Sequence, residues 1–391
     1  MKKVSVIFPI ILLAISGCIG NKQSTDGFIT VDVTANYPKK ELILQDFMDV
    51  EYVPLETSDA FLTQGFVLCI GKDIVVAKNH VNDGDIFFFD RTGRGIKKIN
   101  RKGQGGEEYT FVLGVTLDEE RREMFVNDHS TLRILVYDLD GNFKRAFKHK
   151  QGAMYSSVYN FDLDNLLCYD DFIDNNAEGN RQTFLIVSKQ DGSITKEIQI
   201  PVDKQVLLPI IMKDEVNNMT WAAAPRSHYP IIPYLDNYII VKPSADTVYS
   251  YSPENTMTPF IVRTPPVQSM SPEVFLLLSI LTDRYYFMET VKREYDFETD
   301  NGFPATDLIY DNQEKAIFRY TVYNGDYSDK RTVYMKTRPM NSEIATCQAL
   351  QSDQLVEDYS NGKLKGRLKE IAAGLNEESN PVIMLIKHKQ Q

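Results

Sequence analysis

The sequence has few of the residues that usually build catalytic and metal sites. Its 391 residues include only four cysteines, five histidines and one tryptophan. No two cysteines follow the C-x-x-C spacing of a zinc site, and neither H-E-x-x-H nor G-x-S-x-G occurs. These absences exclude the common zinc sites and the nucleophile elbow of α/β-hydrolases, so no motif favours an enzyme class.

Positive charge is also scarce. Lysine and arginine total 43 against 54 acidic residues, which gives a formal net charge of −11 at pH 7. Binding to nucleic acid needs a basic surface for phosphate contacts, and electrostatic binding to anionic lipid needs basic clusters. The composition therefore predicts no nucleic-acid partner and no electrostatic membrane attachment. With 43% hydrophobic and 11% aromatic residues, the chain can bury a large core.

No apolar run at the start of the chain reaches the ~20 residues that span a bilayer. The candidate, residues 4–14, is shorter and contains Pro9. It follows two lysines and leads into Ile15-Ser-Gly-Cys18, and this order of basic, apolar and small residues is typical of a secretory signal. A transmembrane helix and an ordinary cleaved signal are the alternatives.

The Ser-Gly-Cys sequence that ends at Cys18 resembles the lipobox of bacterial lipoproteins. The resemblance implies cleavage before Cys18, a diacylglycerol on its thiol and acylation of its new amine. Residues 1–17 are then the signal peptide, and the polar residues 18–27 are a lipidated tether. Several acyl chains give lasting attachment, because each buried methylene contributes ~0.8 kcal/mol. Since Ile19 rather than Asp follows the cysteine, we expect the outer membrane, with the protein on its periplasmic or outward face.

The three other cysteines, Cys69, Cys168 and Cys347, make an odd number that cannot all pair. Cys69 and Cys168 stand in apolar stretches. We therefore expect buried free thiols that pack as small apolar side chains.

A repeat of about 50 residues runs through the chain. Its clearest part is a β-rich strand, a turn that ends in glycine, and a second strand. The glycines are Gly93, Gly141 and Gly192, which lie 48 and 51 residues apart. Looser copies follow at residues 247–262 and 308–320. Glycine in this position is typical of a hairpin, because it accepts positive φ without strain.

Further strands precede each hairpin, so each repeat holds about four strands, as a propeller blade does. Such a sheet buries both faces only against neighbouring sheets. The five copies and the material at both ends predict an all-β, six-bladed β-propeller over residues 28–391. We expect early strands at residues 28–33 and 50–56 to share one blade with a late strand at residues 382–388, which leaves the ring no open edge.

Two segments depart from the β pattern. Ser271-Pro-Glu273 has the cap residue, proline and acid of a helix start, which predicts a helix over residues 274–281. A second helix is predicted over residues 352–373, although Gly362 and Gly366 each weaken it by ~1 kcal/mol relative to alanine. We expect both helices to cap apolar rims of the ring, and a ligand lid is the alternative.

Three short motifs are distinctive: Tyr52-Val-Pro-Leu-Glu-Thr57, Gly103-Gln-Gly-Gly-Glu-Glu-Tyr109 and Asn380-Pro-Val. Together they resemble a group of six-bladed β-propeller lipoproteins of anaerobic gut bacteria, which are distantly similar to NHL-repeat propellers. The resemblance covers nearly the whole chain after the signal. The resemblance implies the fold and a location in the cell envelope. It implies no ligand, because the group is mostly uncharacterised.

The glycine-rich loop matches that group at four positions: Gly103, Gly105, Glu108 and Tyr109. Gly106 stands where proline is usual. A phosphate-binding P-loop would end in Gly-Lys-Ser/Thr, whereas Glu107 and Glu108 would repel phosphate. We therefore predict that this loop forms the tight crossing between the first two blades.

Acids on the predicted inner strands form one candidate site at the central axis: Asp118, Asp162 and Asp164. Three converging carboxylates could hold Ca²⁺, which takes about six to eight oxygen ligands, and turn acids that bond backbone amides are the alternative. The acidic run 170–179 has Leu185 where an EF-hand needs glutamate, so we expect a hairpin tip there.

A second candidate site for ligands combines Trp221, Arg226, His228 and Tyr229. Such residues anchor interfaces and stack on sugar rings, and an ordinary blade loop with Trp221 in the core is the alternative. The leading interpretation is a non-enzymatic binding or scaffold module in the cell envelope for a glycan, peptide or protein partner. A metal-dependent hydrolase or lyase acting at the axis, and a rigid spacer in an envelope complex, are the alternatives.

Overall fold

The structure is a computed structural model that describes residues 28–172, 183–214, 217–226 and 228–389. The predicted signal peptide, Cys18 and the tether lie outside the described residues, as does most of the predicted hairpin tip. Within the described part of the chain, no helix has the length and apolar character that crossing a membrane requires.

The first described elements are three strands and one short helix. They are β1 (Ile29–Asp32), β2 (Lys39–Ile43), α1 (Leu44–Phe47) and β3 (Met48–Pro54). We call residues 29–54 the N-terminal belt, because its strands pair with three different sheets that form much later in the chain.

Three four-stranded antiparallel sheets follow, each with its strands in chain order. Blade 1 contains β4 (Phe66–Ile70), β5 (Ile74–Lys78), β6 (Asp85–Asp90) and β7 (Gly95–Asn100). Blade 2 contains β8 (Val112–Asp118), β9 (Glu123–Asp128), β10 (Arg133–Asp138) and β11 (Phe143–Lys148). Blade 3 contains β12 (Tyr155–Asn160), β13 (Asn165–Asp170), β14 (Thr183–Ser188) and β15 (Ile194–Ile198).

A two-stranded hairpin, β16 (Ile210–Asp214) and β17 (Met219–Ala223), is inserted before blade 4. Blade 4 contains β18 (Ile231–Tyr234), β19 (Asn237–Ile240), β20 (Thr247–Tyr251) and β21 (Met257–Thr264), and a 3-10 helix, Val267–Ser269, follows it. Blade 5 contains β22 (Val274–Leu281), β23 (Tyr285–Lys292), the small hairpin β24 (Tyr295–Asp296) and β25 (Asn301–Gly302), β26 (Ala305–Asp311), β27 (Ala316–Tyr323) and the short β28 (Thr332–Val333).

The last blade joins both ends of the described chain. Blade 6 contains β29 (Ile344–Leu350), β30 (Val382–His388) and β3, and helices α2 (Ser352–Ser360) and α3 (Gly366–Ala372) lie between its first two strands in sequence. Strand β3 runs antiparallel to β30 along its whole length, with Tyr52 opposite Met384. The predicted closure by residues 50–56 and 382–388 is therefore confirmed.

The first early strand does not take part in that closure. Strand β1 pairs in parallel with β21 of blade 4, and β2 pairs in parallel with β27 of blade 5. The expectation that residues 28–33 share the closing blade is wrong. The N-terminal belt instead adds an outermost strand to blades 4, 5 and 6 in turn.

The six sheets form a ring around a central axis, which confirms the predicted six-bladed β-propeller. The innermost strands contact one another around the axis, β29 with β4, β4 with β8, β8 with β12, β18 with β22, and β22 with β29. A buried apolar cluster fills each interface between neighbouring blades, including the one between blades 3 and 4. Successive side chains of a strand face opposite neighbours: Phe87 and Phe89 pack toward blade 6, whereas Phe88 packs toward blade 2.

The repeat glycines occupy the hairpin turns that the sequence indicates. Gly93, Gly141 and Gly192 have φ values of 90°, 86° and 75°. In the first turn, the carboxylate of Asp90 accepts hydrogen bonds from the backbone N–H groups of Thr92 and Arg94 at 2.9 and 3.0 Å. The Thr92 hydroxyl also donates to this carboxylate, at 2.6 Å. This bond above all, together with the backbone bonds, lowers the pKa of Asp90, and the bonds stabilise the turn.

The helix predicted over residues 274–281 is wrong. This segment is β22, the innermost strand of blade 5, and seven of its eight residues are buried. Its residues contribute to clusters on both faces, Leu276 and Leu278 toward blade 4 and Ile280 toward blade 6. A strand that is buried on both faces is apolar throughout and has no alternation to reveal it.

The second predicted helix is present in two pieces. Helix α2 ends at Ser360, Gly362 follows with a φ of 67°, and α3 begins at Gly366. Leu355, Leu368 and Ile371 of these helices join the apolar cluster between blades 5 and 6. The helices thus fill part of the core, which agrees with a capping role for this region.

Candidate functional site

The segment that carries the predicted binding residues links the β16–β17 hairpin to the inner strand of blade 4. Arg226, His228 and Tyr229 line a cavity at one mouth of the central channel, which we call the hairpin-side cavity. Trp221 lies on β17 with 37% of its surface exposed, and it does not line this cavity. The structure thus brings three of the four residues together and places Trp221 outside the core.

The hairpin-side cavity is large enough for a small molecule. Its volume is about 670 Å³, and inner strands of blades 1 to 4 contribute to its wall. Much of the wall is apolar, including Val115, Val158, Leu208 and Ile231. Ligand pockets typically measure roughly 300–1,000 Å³ and combine such walls with a few polar groups.

His228 is a polar residue of this wall that lacks hydrogen bonds from its side chain to the described residues. Both ring nitrogens are buried, and neither has a hydrogen-bond partner among the described residues. The ring meets that of Tyr169 edge-on at 6.0 Å between centroids. Burial lowers the pKa of His228 to about 4, so at neutral pH the ring offers one N–H donor and one bare nitrogen acceptor.

Asp171 brings a carboxyl group to the same cavity. Burial, with a smaller effect from the neighbouring Asp170, raises the pKa of Asp171 to about 6. Its backbone N–H donates to the Met154 carbonyl at 2.9 Å, which holds this residue beside blade 3. Near neutral pH this group lies close to its titration range, and a ligand could shift its protonation.

A second cavity of about 670 Å³ opens at the other mouth of the channel, and we call it the opposite cavity. Its wall includes the acidic residues Glu119, Asp236 and Glu343. Five residues line both cavities, which places them in the middle of the channel: Val115, Thr116, Val158, Tyr159 and Arg338.

The predicted axial acids are engaged by cations and turns. The Lys189 ammonium lies 2.7 Å from the Asp118 carboxylate, and both side chains are buried. Asp164 pairs with Arg121 at 2.5 Å, and Asp162 accepts the backbone N–H of Asn165 at 2.7 Å. Asp162 thus matches the alternative of a turn acid that bonds backbone amides, whereas the ion pairs of Asp118 and Asp164 were not predicted.

Among the residues that the structure describes, no group of three His, Cys, Asp or Glu side chains is arranged to hold a metal ion. The candidate calcium site at Asp118, Asp162 and Asp164 is therefore not formed, and the Lys189 ammonium lies beside the Asp118 carboxylate instead.

The glycine-rich loop packs against itself between blades 1 and 2. The Glu108 carboxylate accepts the Gly105 N–H at 2.8 Å, and a Cβ on Gly103 would lie 1.9 Å from a Glu108 oxygen. The buried Tyr109 hydroxyl donates to the Gly84 carbonyl at 2.7 Å and accepts the Arg101 N–H at 3.0 Å. The arrangement fits the predicted role in the blade crossing.

The three described cysteines have free thiols. Cys168 is fully buried, whereas Cys69 and Cys347 are partly exposed. Burial raises the pKa of the Cys69 and Cys347 thiols to about 12, which leaves them protonated and unreactive at neutral pH.

Comparison with known proteins shows the family. The chain belongs to the family described as Domain of unknown function (DUF4934), which matches residues 28–387. No curated protein matches the chain.

One solved structure shows the same fold, and two others match the chain weakly. A predicted exported protein from Bacteroides fragilis NCTC 9343 matches with a TM-score of 0.56 and 13% identity, over 90% of this chain and 99% of that chain. A member of the DUF4221 family from Bacteroides vulgatus gives a TM-score of 0.41 at 10% identity, over 72% of this chain and 90% of that chain. Virginiamycin B lyase from Staphylococcus aureus gives 0.36 at 10% identity, over 66% and 73%. The first likeness shows the fold alone, and the two weaker ones add nothing to it.

Sequence reasoning missed Arg338 and Asp171 as cavity residues. Arg338 lies between β28 and β29, where no strand or motif marks it. Asp171 directly follows β13, and an acidic residue after a strand is typical of an ordinary turn. Both reach the channel only because the ring closes, so the local sequence carries no signal for them.

Proposed function

We propose that the protein is an exported lipoprotein whose propeller acts as a non-enzymatic binding module, with a ligand held in the hairpin-side cavity. The family match and the likeness to a predicted exported protein support an envelope propeller. The gathering of Arg226, His228 and Tyr229 in one cavity supports binding there. The ligand classes that suit such a site are a glycan fragment, a peptide segment or an exposed group of a partner protein.

The observation that carries this proposal is the His228 ring in the cavity wall, whose two nitrogens have no hydrogen-bond partner among the described residues. A buried polar group without a partner costs about 1–3 kcal/mol. Folding tolerates this cost at a site where a ligand restores the hydrogen bonds. His149, the other histidine with a strongly lowered pKa, contrasts with it, because its Nε2 lies 3.0 Å from the Asn127 amide oxygen and its Nδ1 accepts the Tyr155 N–H at 3.2 Å.

Blocking the cavity tests the proposed binding. Ala224 is exposed and lines the hairpin-side cavity, so Ala224→Trp narrows its mouth without disturbing the core. Ala373→Trp, at an exposed position after α3, adds the same side chain away from the cavity. The two variants and the unchanged protein are applied to glycan and peptide arrays. Ligands lost by the first variant and kept by the second support the proposal, and the absence of any ligand, or equal binding by both variants, contradicts it.

The lipid anchor is a separate part of the proposal, supported by the basic, apolar and Ser-Gly-Cys order of residues 1–18. Cys18→Ser removes the only thiol that this scheme acylates. We expect it to abolish incorporation of labelled fatty acid and to move the protein from the outer-membrane fraction to the soluble fraction. A variant that keeps its label or its membrane fraction would contradict anchoring through Cys18.

A further inference from the structure

Arg338 is held in the central channel by contacts from three blades. The Thr346 hydroxyl of blade 6 donates to the Arg338 carbonyl at 3.0 Å, and the Tyr159 hydroxyl of blade 3 donates to the next carbonyl, that of Pro339, at 3.0 Å. The Asn341 amide donates to the Ile70 carbonyl of blade 1 at 2.8 Å. The backbone that carries this arginine is therefore fixed on several sides of the ring.

The guanidinium reaches across the channel toward blades 1 and 2. One terminal nitrogen donates to the Leu68 carbonyl at 3.2 Å, and the other lies 3.8 Å from the position that a Cβ on Gly114 would take. No ion pair among the described residues includes Arg338, since no carboxylate among them lies within 4.0 Å of it. A guanidinium has five N–H donors and stays charged at all physiological pH values. Beyond the bond to Leu68 and an interaction with the Tyr159 hydroxyl, its charge has no carboxylate partner among the described residues.

Among the residues that the structure describes, the other charged groups of the hairpin-side cavity are Arg226 at its rim and Asp171 in its wall. The pKa of Asp171 is raised by burial and by Asp170, and no cation offsets this effect, so Arg338 does not serve as its ion-pair partner. The acids Glu119, Asp236 and Glu343 line the opposite cavity instead. A positive centre that is approached from the less acidic mouth favours the entry of anions.

We propose that the hairpin-side cavity binds a small organic carboxylate, whose charged group pairs with Arg338 while its body lies along Val115, Val158 and Tyr229. This assignment rests on the proposed binding function and names its ligand class. A guanidinium matches a carboxylate with two parallel hydrogen bonds. The apolar wall excludes a bare inorganic anion as the best ligand, because it would leave that wall facing water.

Matched acid and neutral probes test this assignment. The full-length protein in detergent is titrated by calorimetry with benzoate and benzamide, with 4-hydroxyphenylacetate and its amide, with galacturonate and galactose, and with inorganic phosphate. We expect at least one acid to bind at least tenfold more tightly than its neutral counterpart and than phosphate. Arg338→Gln should weaken that acid by roughly 10- to 100-fold, the range of a charge-assisted hydrogen bond, and Arg338→Lys should retain part of the affinity. Thermal unfolding of each variant shows that it remains folded.

The outcomes separate this assignment from the binding function. If neutral probes bind as well as acids, or if Arg338→Gln leaves acid affinity unchanged, the carboxylate assignment fails while binding in the cavity stands. If phosphate alone binds, or if no acid binds the folded protein, the assignment also fails, and the array result with Ala224→Trp decides the binding function independently. Arg367→Gln, at an exposed arginine of α3 outside the cavity, serves as the charge-matched control and should leave the affinity for the acid unchanged.

Discussion

The Lys189 ammonium lies 2.7 Å from the Asp118 carboxylate, and this ion pair joins blades 2 and 3 beneath the surface of the ring. Lys189 also donates to the Asp162 carbonyl at 2.8 Å, and Asp118 accepts the Arg121 N–H at 3.1 Å. The pair therefore ties three chain segments together at one interface, at the position where the sequence suggested a metal site.

Removal of the lysine should be costly. Lys189→Met leaves the Asp118 carboxylate buried without a counter-charge, and we expect the free energy of unfolding in urea to fall by about 3–5 kcal/mol. The double variant Asp118→Asn with Lys189→Met removes both charges and should be less destabilised than the sum of the two single variants. Additive effects would show that the two groups do not interact.

The closing strand should carry a large share of the ring's stability. Leu385 of β30 is fully buried between blades 6 and 1. Leu385→Ala should lower the free energy of unfolding by about 2–5 kcal/mol. Leu62→Ala, at a side chain that is 63% exposed, should change it by less than about 0.5 kcal/mol. Equal effects at the two positions would be inconsistent with closure through β30.

The Tyr109 hydroxyl should contribute to the stability of the fold through its two hydrogen bonds to the backbone. Tyr109→Phe keeps the buried ring but leaves the Gly84 carbonyl and the Arg101 N–H without their partner. We expect a loss of about 1–3 kcal/mol in urea unfolding. Tyr359→Phe, on an exposed side chain of α2, is the control and should have no measurable effect. A loss no larger than that of the control would show that water satisfies both groups.

His228 should make stability depend on pH. Its pKa is about 4 in the folded protein against 6.5 ordinarily, so the unfolded chain binds the extra proton first as the pH falls. Its contribution is therefore complete above pH 6.5 and should decline by up to about 3 kcal/mol as the pH falls toward about 4. The lowered pKa of His149 also makes the protein less stable as the pH falls. The raised pKa of Asp171 has the opposite effect on stability between pH 3.8, its ordinary pKa, and about 6.

Comparison of variants isolates the effect of His228. Urea midpoints are measured between pH 7 and pH 4 for the unchanged protein, His228→Gln and His80→Gln. The first substitution should flatten the decline toward acid pH, and the second, at an exposed histidine, should not. Identical pH profiles for all three proteins would show that His228 is protonated as easily in the folded state as in the unfolded state.

The ring and its closure were predictable because their signals are local and repeated. Gly93, Gly141 and Gly192 mark the turns of successive blades, and the apolar strand at residues 382–388 indicated closure with residues 50–56. The parallel pairing of β1 with β21 was not predictable, because it joins segments far apart in the chain. Strand β22 was not predictable, because its run of leucines is buried on both faces and Ser271-Pro-Glu273 imitates a helix start. The break near Gly362 was visible as a weak point but not as the end of a helix.

Part of the candidate site was predictable from adjacency in sequence. Arg226, His228 and Tyr229 are neighbours in the chain, so one linker brings them to the cavity together. Arg338 is different, since its surroundings include Leu68, Gly114 and Tyr159, which lie far away in sequence. Only the assembled ring places these residues together, and a single sequence does not record such distant neighbours.

The N-terminal belt sets an order of events during biogenesis. Ile29 pairs with Ile261, Lys39 with Arg319 and Met48 with His388. Residues 29–54 therefore cannot form these pairs until their partner strands, the last of which is β30, have been synthesised. Closing such long loops is slow, so we expect the middle blades to begin folding while residues 29–54 remain unpaired.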